Sequence, residues 1–318
     1  MLSYHGLKLV GLRRGTYCYP VMSNFGSSAT AVTIPALDGY PLSATLHLPG
    51  RMPPLALVIL HPATAVPARY YSLFAAALAE QGLAVVTYDY RGIGASRPAR
   101  LRGCRANMRD WINLDAEGVS KWVRAAHPGL SLLAVGHSLG GHAIGLCNES
   151  QHLAGAALVS SAVAWIGHIP GAAERARVAA LLRVVGPSLL LAYGYVPMRR
   201  LGLGEDLPGP AFRDWARWIG MRRYFFDDPT MDAAARFARV RAPPLLIGAD
   251  DDAWTPAAAI DELGSYLTAA AVERWQVAPA EATTGRVGHA GFFRDEHRDT
   301  LWPRVTDWLL QRANQAAS

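Results

Sequence analysis

Lysine is nearly missing from this 318-residue chain: of 31 basic residues only Lys8 and Lys121 are lysines, and the rest are arginine. Cysteine is scarce too. Cys18, Cys104 and Cys147 are too few and too scattered for a disulfide framework or a zinc cluster, and they read as free thiols in a reducing, cytoplasmic setting. There is no HExxH, nor any histidine pair at i, i+4 with a third ligand, so no metal is expected. No run of five basic residues and no nucleic-acid motif occurs, so the net charge of +6 is not read as a nucleic-acid signature. The N-terminus lacks the apolar core and small-residue cleavage site of a secretory signal. Charged residues make up only 18% against 51% apolar, which excludes a disordered chain. A chain of this length can bury a large core without covalent staples.

Strands and helices alternate from about residue 30. Ala31–Ile34 and Ala44–Leu48 read as strands around a turn at Asp38-Gly39. Leu55–Leu60 and Ala84–Tyr88 are apolar runs, as strands buried on both faces should be, and Ser131–Val135, Gly155–Val159, Leu245–Ile247 and a segment near Val272–Val277 read as further strands. Helices are expected around Tyr70, Phe74 and Leu78, over Asp110–Ala126, Leu139–Cys147 and Ala257–Leu267, and at Leu301, Val305, Trp308 and Leu309. The alternation predicts an α/β fold with a mostly parallel central sheet and helices on both faces. Residues 1–22 read as an N-terminal extension, with Met22 as a candidate start. Residues 23–165 and 243–318 form the core.

Residues 166–242 interrupt the rhythm. They are helix-like and rich in Gly and Pro, and they read as a helical lid over the carboxyl ends of the strands. Val178–Val196 is apolar enough to suggest a membrane span, but Arg183 and Gly186-Pro187 lie inside it, which favours a broken pair of lid helices. The lid holds twelve arginines against seven carboxylates, so most of the chain's net charge resides there.

Gly136-His137-Ser138-Leu139-Gly140 stands where the strand Ser131–Val135 turns into a helix. That is the setting of a nucleophile elbow, in which Ser138 takes a strained backbone and its flanking glycines let strand and helix pass closely. A serine hydroxyl needs a base, and the base needs an acid to orient it. The expected chain order is Ser, acid, His. Asp250, Asp251 and Asp252 follow the strand Leu245–Ile247. Asp252 is preferred because Pro256 stands four residues on, with Asp251 next; the others are expected to face solvent or cap the following helix. His289, in Gly288-His289-Ala290-Gly291-Phe292-Phe293, precedes the last helix and is the expected base. The oxyanion calls for the backbone N–H of Leu139 and a second amide after His61. Pro62 has none, so Ala63 or Thr64 supplies it, and Ala63 is preferred. His61 is expected to hold the loop that follows it, His137 abuts the nucleophile but points elsewhere, His142, His152 and His168 read as structural or exposed residues, and His297 sits at the approach to a helix. Asp89-Tyr90-Arg91-Gly92-Ile93-Gly94 lacks the lysine and third glycine of the phosphate-binding loops and reads as a structural turn with an Asp–Arg contact.

Together these segments resemble the alpha/beta-hydrolase superfamily, over roughly residues 30–315. The nearer resemblance is to a bacterial group close to its serine aminopeptidase-like and monoacylglycerol-lipase-like branches. It rests on Pro62-Ala63-Thr64-Ala65, Thr87 through Gly94, Gly136 through Gly141, the lid text Gly194-Tyr195-Val196-Pro197 through Trp218, Asp251-Asp252-Ala253-Trp254-Thr255-Pro256, and Gly288 through Phe293. Ala65 departs from the Gly expected there. The resemblance implies a hydrolase and leaves the substrate open.

The expected function is therefore a cofactor-independent serine hydrolase that cleaves an acyl or other hydrophobic carboxylic ester through an acyl-enzyme. A thioesterase, a peptidase and an acyltransferase would use the same residues, and a non-catalytic ligand-binding protein is a further alternative. The expected partner is a small ester or acyl molecule. The basic, apolar lid also raises contact with an anionic membrane surface.

Overall fold

A computed structural model describes residues 27–317. The expected extension, its candidate start Met22 and Cys18 lie outside them. Eight strands form one sheet: β1 (Ser28–Pro35), β2 (Pro41–Leu48), β3 (Leu57–His61), β4 (Ala84–Tyr88), β5 (Leu132–His137), β6 (Leu153–Val159), β9 (Pro244–Ala249) and β10 (Glu273–Val277). Tyr195–Val196 (β7) and Leu207–Pro208 (β8) pair separately. The order in the large sheet is β1-β2-β4-β3-β5-β6-β9-β10, antiparallel at β1–β2 and β2–β4 and parallel elsewhere.

The continuous apolar runs follow from double coverage. On one face Val58, Leu60, Val85, Leu133, Val135 and Ile247 pack with Phe74 and Leu78 of α1 (Ser72–Glu80) and Val305 and Leu309 of α8 (Trp302–Ala317). On the other, Leu57, Ile59, Val86, Ala134 and Leu158 meet Trp111 and Val119 of α2 (108–126), Ile144 of α3 (Leu139–Leu146) and Ile260 of α7 (Ala257–Gly264). Each such aliphatic side chain contributes about 1.5–3 kcal/mol by leaving water. Asn107 starts α2 by accepting from the Asp110 amide, and Asp110 accepts from the Asn107 amide in return.

The turn after β4 is structural. Arg91 pairs with Asp38 and buried Asp115, while Asp89 accepts from the amides of Ala68 and Ala95 at 2.7 and 2.8 Å. His61 departs from expectation: its Nδ1 lies 2.7 Å from the Tyr88 hydroxyl of the neighbouring strand, not on the loop that follows it.

Between β6 and β9 the chain forms α4 (Ala172–Tyr193), the β7–β8 pair, α5 (Gly209–Ile219) and α6 (Ala233–Phe237). The expected break in α4 is not made. A wide π turn over Leu181–Val185 precedes Gly186-Pro187, and the helix continues through it. Proline removes one N–H and crowds the carbonyl four residues back; a widened turn absorbs both defects. By length and hydropathy α4 resembles a membrane-crossing helix, and only 22% of its most apolar window is buried within the protein.

Candidate active site

β3 is flanked by β4 on one side and β5 on the other, so the winding reverses between β3 and β5, where α/β sheets open a crevice at their carboxyl ends. His61, the last residue of β3, pairs with Gly136 of β5. Ser138 sits beyond the end of β5 and before α3 with φ 52° and ψ −111°. That conformation costs on the order of 1–3 kcal/mol and persists because its surroundings enforce it. A Cβ on Gly136 would lie 2.4 Å from the Gly141 amide, and one on Gly140 would lie 2.0 Å from the His61 carbonyl oxygen. Both flanking positions therefore exclude any side chain.

Ser138 Oγ is 3.1 Å from His289 Nε2, and His289 Nδ1 is 2.9 Å from Asp252 Oδ2. The ionised carboxylate can only accept, so Nδ1 carries hydrogen and Nε2 presents its lone pair to Ser138. Asp252 is buried. Burial opposes its ionisation, but electrostatic attraction and a hydrogen bond from the His289 ring, the Thr255 hydroxyl and the Trp254 amide outweigh it and hold its pKa at about 2. Asp251 is exposed, as expected, and does further work there: its two oxygens accept from the amides of Val287 and Gly288 at 2.9 and 2.8 Å. Asp250 is exposed and accepts from Gln276.

The loop bearing His289 is tied down from behind as well. His137 Nε2 is 2.9 Å from the His289 carbonyl oxygen, and the Tyr70 hydroxyl donates to the Ala290 carbonyl. Because a carbonyl only accepts, His137 Nε2 bears hydrogen and its Nδ1 accepts from the Tyr71 hydroxyl at 2.8 Å. Burial, with the nearby His289 charge, lowers the His137 pKa to about 3, and burial keeps the Tyr71 phenol protonated. Tyr71 Oη in turn accepts from the Ala63 amide at 2.9 Å. This line reaches the amide expected to bind the oxyanion. Ala63 lines the cavity, but its hydrogen is already engaged, whereas the Thr64 amide makes no hydrogen bond among the described residues. The Leu139 amide opens α3, where the helix dipole favours negative charge. Ala65, the departure from the family pattern, has φ 60°, a left-handed conformation that suits the glycine expected there. Its carbonyl accepts from the Glu205 amide at 2.7 Å.

The site opens on a cavity of about 230 Å³. Its wall includes Val66, Leu139, Ala162, Ala164 and Trp254 from the core, and Leu181, Met198, Leu203, Trp215, Ile219 and Tyr224 from the segment between β6 and β9. Among its described lining residues there is no Asp, Glu, Lys or Arg. Trp215 stacks on Trp254 with ring centroids 6.0 Å apart, and Trp254 stands beside His289. His142, expected to be structural or exposed, lines this cavity and is buried. Sequence reasoning missed Tyr71, Tyr224 and the Trp215–Trp254 pair. Tyr71 lies one residue off the helical stripe at Tyr70, and the tryptophans are 39 positions apart in the chain. No metal-binding cluster of His, Cys, Asp or Glu occurs among the described residues.

The profile of the serine aminopeptidase S33 family, Hydrolase_4, matches residues 52–214, a span that contains Ser138 but neither Asp252 nor His289. No curated protein matches the chain. Solved structures with the same fold include the esterase Est1E from Butyrivibrio proteoclasticus with ferulic acid bound, at 17% identity and TM-score 0.60, covering 89% of this chain and 100% of that one. The Pyrococcus furiosus esterase Pf2001 is 17% identical with TM-score 0.56, covering 92% and 97%. A thermophilic esterase from Thermogutta terrifontis is 16% identical with TM-score 0.55, covering 89% and 99%. Fold and profile agree: the chain belongs to the serine aminopeptidase S33 family of the alpha/beta-hydrolase superfamily and is an enzyme of the serine-hydrolase type.

Proposed function

We propose that the protein hydrolyses uncharged carboxylic esters with a hydrophobic acyl group, through an acyl-enzyme on Ser138. The observation that carries this reading is the hydrogen-bonded line Ser138–His289–Asp252 opening on a cavity with no Asp, Glu, Lys or Arg among its described lining residues. Ser138 Oγ attacks the ester carbonyl while His289 Nε2 takes its proton. The oxyanion faces the amides of Leu139 and Thr64. Collapse of the tetrahedral intermediate expels the alcohol, which leaves with the proton from His289. Water then attacks the acyl-enzyme, His289 again acts as base, and the carboxylic acid departs. Asp252 holds the imidazole in the required tautomer throughout.

The family name raises aminopeptidase activity. A free α-ammonium group entering an apolar cavity loses its hydration and needs a carboxylate beside it. None stands in the described wall, so the ester reading is preferred. The test compares p-nitrophenyl esters of two to twelve carbons with acyl-CoA and aminoacyl anilides. The expected result is turnover of neutral acyl esters with kcat/KM about a hundredfold or more above the anilides, the order of discrimination reached when a site leaves a substrate group unpaired. Anilides turned over faster than every ester would overturn the reading, and acyl-CoA as the best substrate would replace it with a thioesterase.

A further inference from the structure

One residue lining the apolar cavity carries a buried ring nitrogen without a partner. His142 lies four residues after Ser138 in α3, about 6 Å further along the helix axis. Its Nε2 is 2.8 Å from the Ala162 carbonyl oxygen, which only accepts. Nε2 therefore bears hydrogen, and Nδ1 is a bare acceptor. Burial lowers the ring's pKa to about 4, so it is neutral near pH 7. Nδ1 is buried and unpaired. The ring lies beside Tyr224, with centroids 5.4 Å apart. Tyr224 lines the same cavity, and its hydroxyl has no hydrogen-bond partner among the described residues. It also sits at φ 53°, a conformation rare for an aromatic residue, held by its amide on the Met221 carbonyl at 3.0 Å. His142 also meets Phe225 edge-on, with ring centroids 4.9 Å apart, and Ala162, Ile219 and Trp215 line the same cavity.

A buried acceptor without a donor is costly, and native proteins rarely keep one without a use. We propose that His142 and Tyr224 form a subsite for a hydroxyl group on the acyl portion of the substrate. The hydroxyl donates to His142 Nδ1 and accepts from the Tyr224 hydroxyl. A carbonyl, ether or plain methylene in the same place leaves Nδ1 unpaired, so the subsite selects a donor rather than polarity in general. The inference rests on the ester-hydrolase reading and narrows it to hydroxylated acyl groups.

The test measures kcat/KM for p-nitrophenyl octanoate and for its 3-, 6- and 8-hydroxy derivatives, in the wild type, His142→Leu and Tyr224→Phe. The readout is the ratio of hydroxylated to plain ester within each protein, which cancels any general loss of activity or folded fraction. The expected result is about a five- to tenfold preference for at least one hydroxylated ester in the wild type, the value of one net hydrogen bond. The ratio should fall to about one in His142→Leu and be reduced in Tyr224→Phe. Equal rates for all four esters in the wild type, or a preference that survives His142→Leu, would overturn the subsite alone. No turnover of any of the four would overturn the ester-hydrolase reading and the subsite with it.

Discussion

Three consecutive carboxylates, Asp250, Asp251 and Asp252, meet three different environments. Only Asp252 is buried and faces His289; Asp251 clamps the backbone that carries His289. The preference for Asp252 over its neighbour was legible from one residue, Pro256, which closes the turn after it. Ser138 and His289 were legible because a nucleophile elbow and a late loop histidine each leave a local mark in the sequence. The Tyr71 hydroxyl on the Ala63 amide left none, since nothing in either segment says that a buried phenol will take that hydrogen. His142 escaped for the same reason: its role depends on the Ala162 carbonyl and on Tyr224, which come from other parts of the chain. At this scale the account predicts unequal effects of two adjacent substitutions. Asp252→Asn lowers kcat/KM by about a thousandfold or more by losing the tautomer control on the base. Asp251→Asn costs clearly less, because it loosens a loop without changing the imidazole. Steady-state kinetics on both variants, with circular dichroism to confirm folding, checks this; equal losses would contradict it.

The elements follow the sequence where periodicity is strong and depart where backbone chemistry intervenes. The doubly covered strands β3, β4, β5 and β9 were readable as apolar runs because both faces are buried. The single helix α4 was not, because Gly186-Pro187 signals a break and the π turn that absorbs it has no sequence signature. The ends of β3 and β5 and the body of α3 share another property. They bury His61, His137 and His142, whose pKa values burial lowers to about 3, about 3 and about 4. In the unfolded chain these imidazoles bind protons near pH 6.5, but in the native state they stay neutral until far lower pH. The unfolded state therefore holds more protons between about pH 6.5 and 4, and stability falls as pH falls through that window. Each histidine contributes up to about 1.4 kcal/mol per pH unit there. Urea unfolding at pH 7.5, 6 and 5 should show a steepening loss below pH 6.5, offset only in part by Asp115, whose pKa burial raises to about 6. A stability that stays flat down to pH 5 would contradict the burial of these rings.

On the scale of the whole molecule, the segment between β6 and β9 is fastened by arginines of the core. Arg69 pairs with Glu205, Arg97 with Asp206, and Arg109 with Asp214 and Asp228. These four carboxylates are buried, so much of the segment's negative charge is turned inward and its arginines dominate the outside. α4 lies there with Leu191 90% and Val184 62% exposed and Arg183 beside them. Arg200 reaches the Tyr193 hydroxyl at the helix end. An exposed apolar stretch next to arginines fits the surface of an anionic bilayer, which sequence composition alone raised as an alternative. This reading predicts co-sedimentation with vesicles containing phosphatidylserine at low salt, weakened at high salt and lost in the Leu191→Asp, Val184→Asp double variant. Absence of binding by the wild type at low salt would end it.

The central claim is that Ser138 is a nucleophile activated by His289. A fluorophosphonate probe followed by peptide mass spectrometry tests it most directly. The account predicts stoichiometric labelling of the folded protein at Ser138 and none in Ser138→Ala, with His289→Ala labelled at least a hundredfold more slowly. A folded wild type that stays unlabelled, or labelling that persists in Ser138→Ala, would contradict it.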